Sequence, residues 1–263
     1  MPKLPVRVAD RLSTGLKRYH PIITSARARD INESDTVVIV ADMLQDIFGY
    51  DKYTELTSEF AIRGTFCDLA VKIDTRLALL IEVKAIGSEL KEPHIKQAVD
   101  YAANQGCEWV VLTNARCWRA YRIHFTKPIQ HELVLDIAID TLQPKREADL
   151  SLLWLLSKEG QAKSGLDEYH AQREALSRFT LGALVVSDAV VSVIRRELRR
   201  ISPDARIEEE EIREALTNEV LKREVLDGEK AVAAKRAVTK AASRALRATK
   251  ETAAPPAAEP AAG

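Results

Sequence analysis

The sequence predicts an α/β sandwich with a mixed central sheet flanked by helices, followed by a C-terminal helical appendage. Three observations carry this expectation. Between residues 56 and 84 three strand-like runs follow one another through short turns, and between 93 and 123 a helical pattern precedes two further strands. From about Leu150 the apolar period becomes helical and remains so.

Taken in order, residues 1–31 mix basic and polar types and read as an N-terminal extension. At Asn32 the run Asn32, Glu33, Ser34, Asp35 supplies capping material, and Val37, Val40, Ala41, Leu44, Ile47 and Phe48 recur at three- and four-residue steps, so a helix is predicted that stops at Gly49. Strands are predicted at Leu56 to Ile62, Phe66 to Ile73 and Leu77 to Lys84, separated by turns at Arg63, Gly64, Thr65 and at Asp74, Thr75, Arg76. Such short connections make an antiparallel meander. Pro93 suits the first turn of a helix whose apolar face is Ile95, Ala98, Val99 and Ala102, and Gly106 closes it. Strands follow at Trp109 to Leu112 and, after an Asn114-Ala115 turn, at Cys117 to Ile123. Residues 32–145 thus form the predicted α/β domain, 150–228 a separate helical appendage, and 229–263 a basic, Ala-rich tail, disordered or partly helical. The Ala- and Pro-rich last dozen residues lack the apolar content to order themselves.

Composition narrows the function classes only a little. With 263 residues the chain has room for one sizeable core and a smaller unit. Its 39 basic and 39 acidic residues cancel, so any affinity for nucleic acid has to come from local charge. The three cysteines, Cys67, Cys107 and Cys117, form no Cys-x-x-Cys pair, which argues against a disulfide framework or a zinc ribbon and makes a reduced cytoplasmic setting the expectation. No run approaches the roughly 18 apolar residues of a membrane span, and no apolar signal core follows Met1.

The segment that carries chemistry is Asp68 on the second strand followed by Glu82-Val83-Lys84 at the end of the third. An apolar run from Ala78 to Ile81 suits a strand buried on both faces, yet it ends in a carboxylate and an ammonium. Strand alternation points Glu82 and Lys84 to one face, and a neighbouring antiparallel strand can set Asp68 beside them. Two carboxylates held together raise each other's pKa unless a cation intervenes, and hard oxygen ligands favour Mg2+ or Mn2+. Asp68 and Glu82 are therefore the expected metal ligands, Lys84 the group that orients water or stabilises phosphorane charge, and phosphodiester hydrolysis the expected reaction. An ordinary exposed charge pair at a strand end remains the alternative for so loose a spacing.

In its context the motif resembles the N-terminal nuclease domain of type I restriction enzyme R subunits, within the PD-(D/E)XK nuclease superfamily. The likeness runs from Asn32 to Arg122. It is carried by Asn32 to Thr36, Phe48-Gly49-Tyr50-Asp51, Phe66 to Leu69, Ile81 to Ala85, Gln97 to Tyr101, Leu112-Thr113-Asn114 and Trp118 to Tyr121. The resemblance implies a restriction-endonuclease-like core, with Asp68 and Glu82 binding metal, Lys84 as the catalytic lysine, and DNA as substrate. It further implies that Gln97 and Tyr101, one helical turn apart, line the site, and that Glu33 supplies an acid from the first helix. The plainer alternatives are a solvated Gln97 with Tyr101 packed at the domain edge, and a Glu33 placed by the helix dipole. Two departures stand out: Cys67 precedes Asp68 where the superfamily name has proline, and Ala115 occupies a turn where related sequences usually have glycine. No Gly-x-x-x-x-Gly-Lys-Ser/Thr loop occurs, so these residues encode no P-loop motor.

Other features point less sharply. His20, His94, His124, His131 and His170 show no metal-ligand spacing, so no zinc site is expected. Arg236, Lys240, Arg244 and Arg247 follow a helical step and make a cationic stripe that suits a phosphate backbone or merely solubilises the tail. Glu208 to Glu211 read as a solvated helix start, and Trp118, Arg119 and Tyr121 as core packing rather than a base-stacking platform. The expected function is a metal-dependent DNA nuclease; the alternative is a non-catalytic DNA-binding or complex-assembly module on the same fold. A separate ATPase or specificity subunit is a candidate partner, as is a second copy of the chain through the C-terminal helices.

Overall fold

The computed structural model describes residues 4–62 and 65–252. The expected turn at Arg63-Gly64 and the Ala- and Pro-rich terminus lie outside them. Six strands form one sheet in chain order: β1 (Leu56–Ile62), β2 (Thr65–Ile73), β3 (Arg76–Val83), β4 (Trp109–Thr113), β5 (Cys117–His124) and β6 (Gln130–Ala138). All neighbours pair antiparallel except β3 and β4, which run parallel with Leu80 opposite Val110 and Val83 opposite Thr113. A parallel step needs a crossover, and helix α3 (Glu92–Gln105), closed by Gly106 at φ 66°, supplies it. The sheet is mixed, as the sequence predicts.

Strand alternation divides the core in two. Leu79, Ile81 and Val83 of β3 join Leu69, Val71 and Val111 in one buried cluster, whereas Leu80 joins Ala70, Val110 and Leu112 in another. The second cluster is covered by Ile95, Ala98 and Ala102 of α3. Helices α1 (Val6–Ala28), α2 (Glu33–Asp46) and α4 (Glu147–Trp154) all contribute to the first. Asn32 caps α2 by accepting the Asp35 amide at 2.8 Å, the geometry its Asn-Glu-Ser-Asp start suggests.

Three expectations need correction. The described part of the expected N-terminal extension packs on the core: α1 buries Val8, Leu12, Leu16, Tyr19 and Ile23 along one face, and Gly15 lies so close to Ile47 that a Cβ there would meet it at 2.7 Å. A sixth strand, β6, follows the five expected. It escapes a strict alternation test because the β5–β6 register shifts between Ala120 and Tyr121, leaving the adjacent Val134 and Leu135 both buried. Finally, residues from Leu150 onward do not all belong to the appendage. Leu150, Leu153, Trp154, Leu155, Leu156 and Leu166 sit in the first core cluster, and the chain divides into compact units 1–170 and 171–263.

The first unit ends within α6 (Gly165–Ala175), which follows the short α5 (Lys158–Ala162). The second unit contains α7 (Arg178–Val185), α8 (Asp188–Ile201), α9 (Glu209–Ala215) with one π turn after it, α10 (Arg223–Leu226) and α11 (Glu229–Thr252). Glu208 and Glu211 form a reciprocal cap at the start of α9, so the acidic run is a helix start as expected. Between residues 229 and 252 the tail is helical, with Ala231 and Ala234 buried and Arg236, Lys240 and Arg244 exposed. Among the described residues no helix is long and apolar enough to cross a membrane.

Candidate active site

The site forms where β2 and β3 part. Their backbone ladder reaches Leu69 opposite Ile81, and beyond it the Val83 N–H donates to Asp68 Oδ2 at 2.7 Å. A side-chain carboxylate thus takes the place of a ladder acceptor, which fixes Asp68 against the end of β3. On its other edge β3 stays bound to β4, with the Lys84 N–H donating to Thr113 O at 2.8 Å. Two residues apart on the same face, Glu82 and Lys84 form an ion pair of 2.8 Å between Oε1 and Nζ. The N-terminus of α2 brings Glu33 within 3.4 Å of the same Nζ.

Glu82 is 1% exposed, and its second oxygen, Oε2, is buried without a hydrogen-bond partner among the described residues. Such an atom costs about 1–3 kcal/mol when left unsatisfied, and more when charged. Burial first, then the nearby charge of Asp68, push the Glu82 carboxyl up to about 7 against the opposing hydrogen bond from Lys84. Asp68 is also raised by burial, with the Val83 N–H and Lys84 pulling the other way. Burial works against the Lys84 ammonium, but its hydrogen bond to Glu82 and the charges of Glu82, Glu33 and Asp68 outweigh it and hold its pKa above the ordinary lysine value. Three acids therefore share one base. That excess of buried negative charge fits a cation bound by Glu82 Oε2 and the oxygen of Asp68 that does not serve Val83.

The remaining expected residues separate into two groups. Glu33 joins the cluster through Lys84. Gln97 and Tyr101 instead find each other: Gln97 Nε2 donates to Tyr101 Oη at 2.7 Å, with Gln97 exposed and Tyr101 buried in the α3-side core beside Cys67 and Leu80. Among the described residues no hydrogen bond or ion pair joins either of them to Asp68, Glu82 or Lys84. Trp118 packs on Phe48 with ring centroids 4.9 Å apart and is 1% exposed, so it is core, as expected. Thr113 and Asn114, part of the motif that carries the family likeness, gain structural roles that the sequence did not assign. Asn114 Nδ2 donates to Ser88 O and its Oδ1 accepts the Cys117 N–H, both at 2.8 Å, which ties the β4–β5 turn to the segment leaving Lys84. Thr113 Oγ1 accepts the Ala115 N–H and donates to Cys117 O, holding Ala115 at φ 65°, a left-handed conformation that glycine adopts more readily.

The six-stranded mixed sheet carries an acid on its second strand and a Glu-x-Lys run that closes its third and leaves it at Lys84. Residues 39–137 match the family model of the type I restriction enzyme R protein N terminus (HSDR_N). The HSDR_N segment runs from the middle of α2 to the end of β6, and it includes Asp68, Glu82, Lys84, Gln97 and Tyr101 but not Glu33. The match supports a nuclease-like domain over these residues. No curated protein and no solved structure matches the chain.

Proposed function

We propose that the chain is a divalent-metal-dependent nuclease that hydrolyses phosphodiester bonds in DNA, with Asp68 and Glu82 as metal ligands and Lys84 as the catalytic lysine. The observation that carries this reading is Glu82 Oε2, a buried carboxylate oxygen with no hydrogen-bond partner among the described residues, beside a second raised carboxylate. All-oxygen donors suit Mg2+ or Mn2+ over softer ions. A bound divalent ion would neutralise the carboxylates, polarise the scissile phosphate and lower the pKa of water. The chain's own groups do the rest. Asp68 is held in place by the Val83 amide, so its free oxygen needs no reorganisation to serve as a ligand. Lys84 is charged and tethered to Glu82, where it orients the attacking water or offsets charge on the phosphorane. Glu33 at the rim and the Gln97–Tyr101 pair on α3 are proposed to complete the walls, Glu33 through Lys84 and the pair at the substrate side.

The family name implies DNA and companion subunits, so a separate ATPase or specificity subunit is a proposed partner. The test is cleavage of supercoiled, linear and single-stranded DNA with Mg2+ or Mn2+, comparing wild type with Glu82→Gln and Lys84→Ala. Cutting by wild type alone supports the assignment; equal cutting by all three overturns it. A second reading, a DNA-binding or assembly module without catalysis, draws on the exposed Arg236, Lys240 and Arg244 of α11. It wins if no protein cuts, and if truncation after Gly228 abolishes DNA binding that Glu82→Gln leaves unchanged.

A further inference from the structure

Glu132 stands at the centre of a cluster separate from the carboxylate site. Its Oε2 lies 3.1 Å from His170 Nε2 and 3.7 Å from His124 Nε2. Among the described residues, this is the one group of three His, Cys, Asp or Glu ligand atoms that all fall within 4.8 Å of one another. Its members come from three elements. In the β5–β6 register Arg122 faces Glu132 and His124 faces Gln130, so His124 and Glu132 are diagonal neighbours on one face of the sheet. His170 arrives on α6, whose first turn is fastened to the sheet by Asp167. That carboxylate accepts from Trp109 Nε1 at 3.2 Å and pairs with Arg122. The His170 ring also stands edge-on to Trp109, with centroids 6.4 Å apart, which limits its rotation.

We propose that His124, Glu132 and His170 form a binding site for a borderline first-row transition-metal ion, zinc(II) in the first instance, with solvent completing the coordination. Two imidazoles and one carboxylate are the donor set such ions take, and they discriminate against the magnesium expected at an all-oxygen site. Tetrahedral zinc with bonds of about 2.0–2.1 Å needs donor atoms about 3.3 Å apart. The two measured separations bracket that value. The side chains are 38%, 29% and 20% exposed for His124, Glu132 and His170, which leaves an approach for the ion and for water. Bound there, the ion cross-links α6 to the β5–β6 hairpin.

The test uses the full chain stripped with a chelator, in a Glu82→Gln background so that binding at the carboxylate site is removed. Cobalt(II) serves as the optical probe and zinc(II) as the competitor. One equivalent of cobalt should bind with visible bands of a four- or five-coordinate histidine site, and zinc should displace it and raise Tm. His170→Ala and, independently, the bulk-conserving His124→Gln should each weaken zinc binding on the order of a hundredfold and remove the Tm rise, with circular dichroism unchanged. Absence of a cobalt spectrum, or zinc affinity unchanged in both folded variants, overturns the proposal. Should both variants unfold, Glu132→Gln decides: retained zinc affinity overturns the site, and loss with a folded spectrum supports it.

Discussion

Glu82 gives one carboxylate oxygen to Lys84 at 2.8 Å and buries the other without a hydrogen-bond partner among the described residues. The two residues meet because they are two positions apart on β3, and the meeting satisfies half of Glu82. In the metal-free protein the other half is a standing cost, borne at the place where the chemistry is proposed to occur.

The first prediction follows from that cost. The folded Glu82 carboxyl is raised to about 7 from an ordinary value of 4.5. For a raised acid, the associated stability is fully present below 4.5 and is lost as pH rises through about 7. Metal-free wild type should therefore lose about 3 kcal/mol between these limits relative to Glu82→Gln, whose stability lacks this contribution. Denaturant titrations of both proteins at pH 5 and 8 measure it. Identical pH profiles would remove the buried charge from the account.

Asp68 has two tasks, and two substitutions separate them. Asp68→Asn keeps an oxygen to accept the Val83 N–H and should remain within about 1 kcal/mol of wild type while losing cleavage. Asp68→Ala leaves that amide unpaired and should cost about 1–3 kcal/mol in addition. Equal stability of the two variants would show that the amide finds another partner.

Glu159 titrates with the opposite sign to Glu82. Burial disfavours its charge, but the two-pronged contact with Arg11, at 2.7 and 2.6 Å, outweighs burial and holds its pKa below the usual 4.5. Stability from a lowered acid is present above the unfolded value and disappears as pH falls through the folded one. Arg11→Gln should cost about 1–2 kcal/mol at neutral pH, after allowance for the partial exposure of both groups, and progressively less below pH 4.5. A thermal-melt series from pH 7 to 3 on the two proteins tests this.

The β2–β3 hairpin turns through Asp74 and Thr75 at φ 48° and 68°, both left-handed. A β-branched residue pays a steric penalty there that glycine avoids. Thr75→Gly should stabilise the protein by about 1 kcal/mol without altering cleavage. A lower Tm would mean that the Thr75 hydroxyl contributes more than its backbone costs.

The β-strands from 56 to 123 were legible because apolar runs and turn residues agree there, and Glu82 with Lys84 stood out because charges end a strand that is otherwise buried on both faces. Helix α1 was harder to see: Gly15, Pro21 and scattered Ser and Thr lower its propensity, and its period is apparent only once Leu12, Leu16, Tyr19 and Ile23 are seen to share a face. The register shift at Ala120 and Tyr121 concealed β6. That in turn concealed the histidine cluster, because His124 and Glu132 become neighbours only across the β5–β6 pair, and His170 lies 38 residues beyond Glu132. The Gln97–Tyr101 spacing foretold their proximity to each other, which is a statement about helix geometry rather than about the acids.

The Val83 amide is held by a side chain where a strand would ordinarily hold it. Its hydrogen therefore exchanges with solvent according to the state of one carboxylate, whereas the amides of Ile81 and Leu79 answer to the breathing of the whole sheet. A single backbone site thus doubles as an internal gauge of ligand readiness, readable by isotope exchange before any nucleic acid is added.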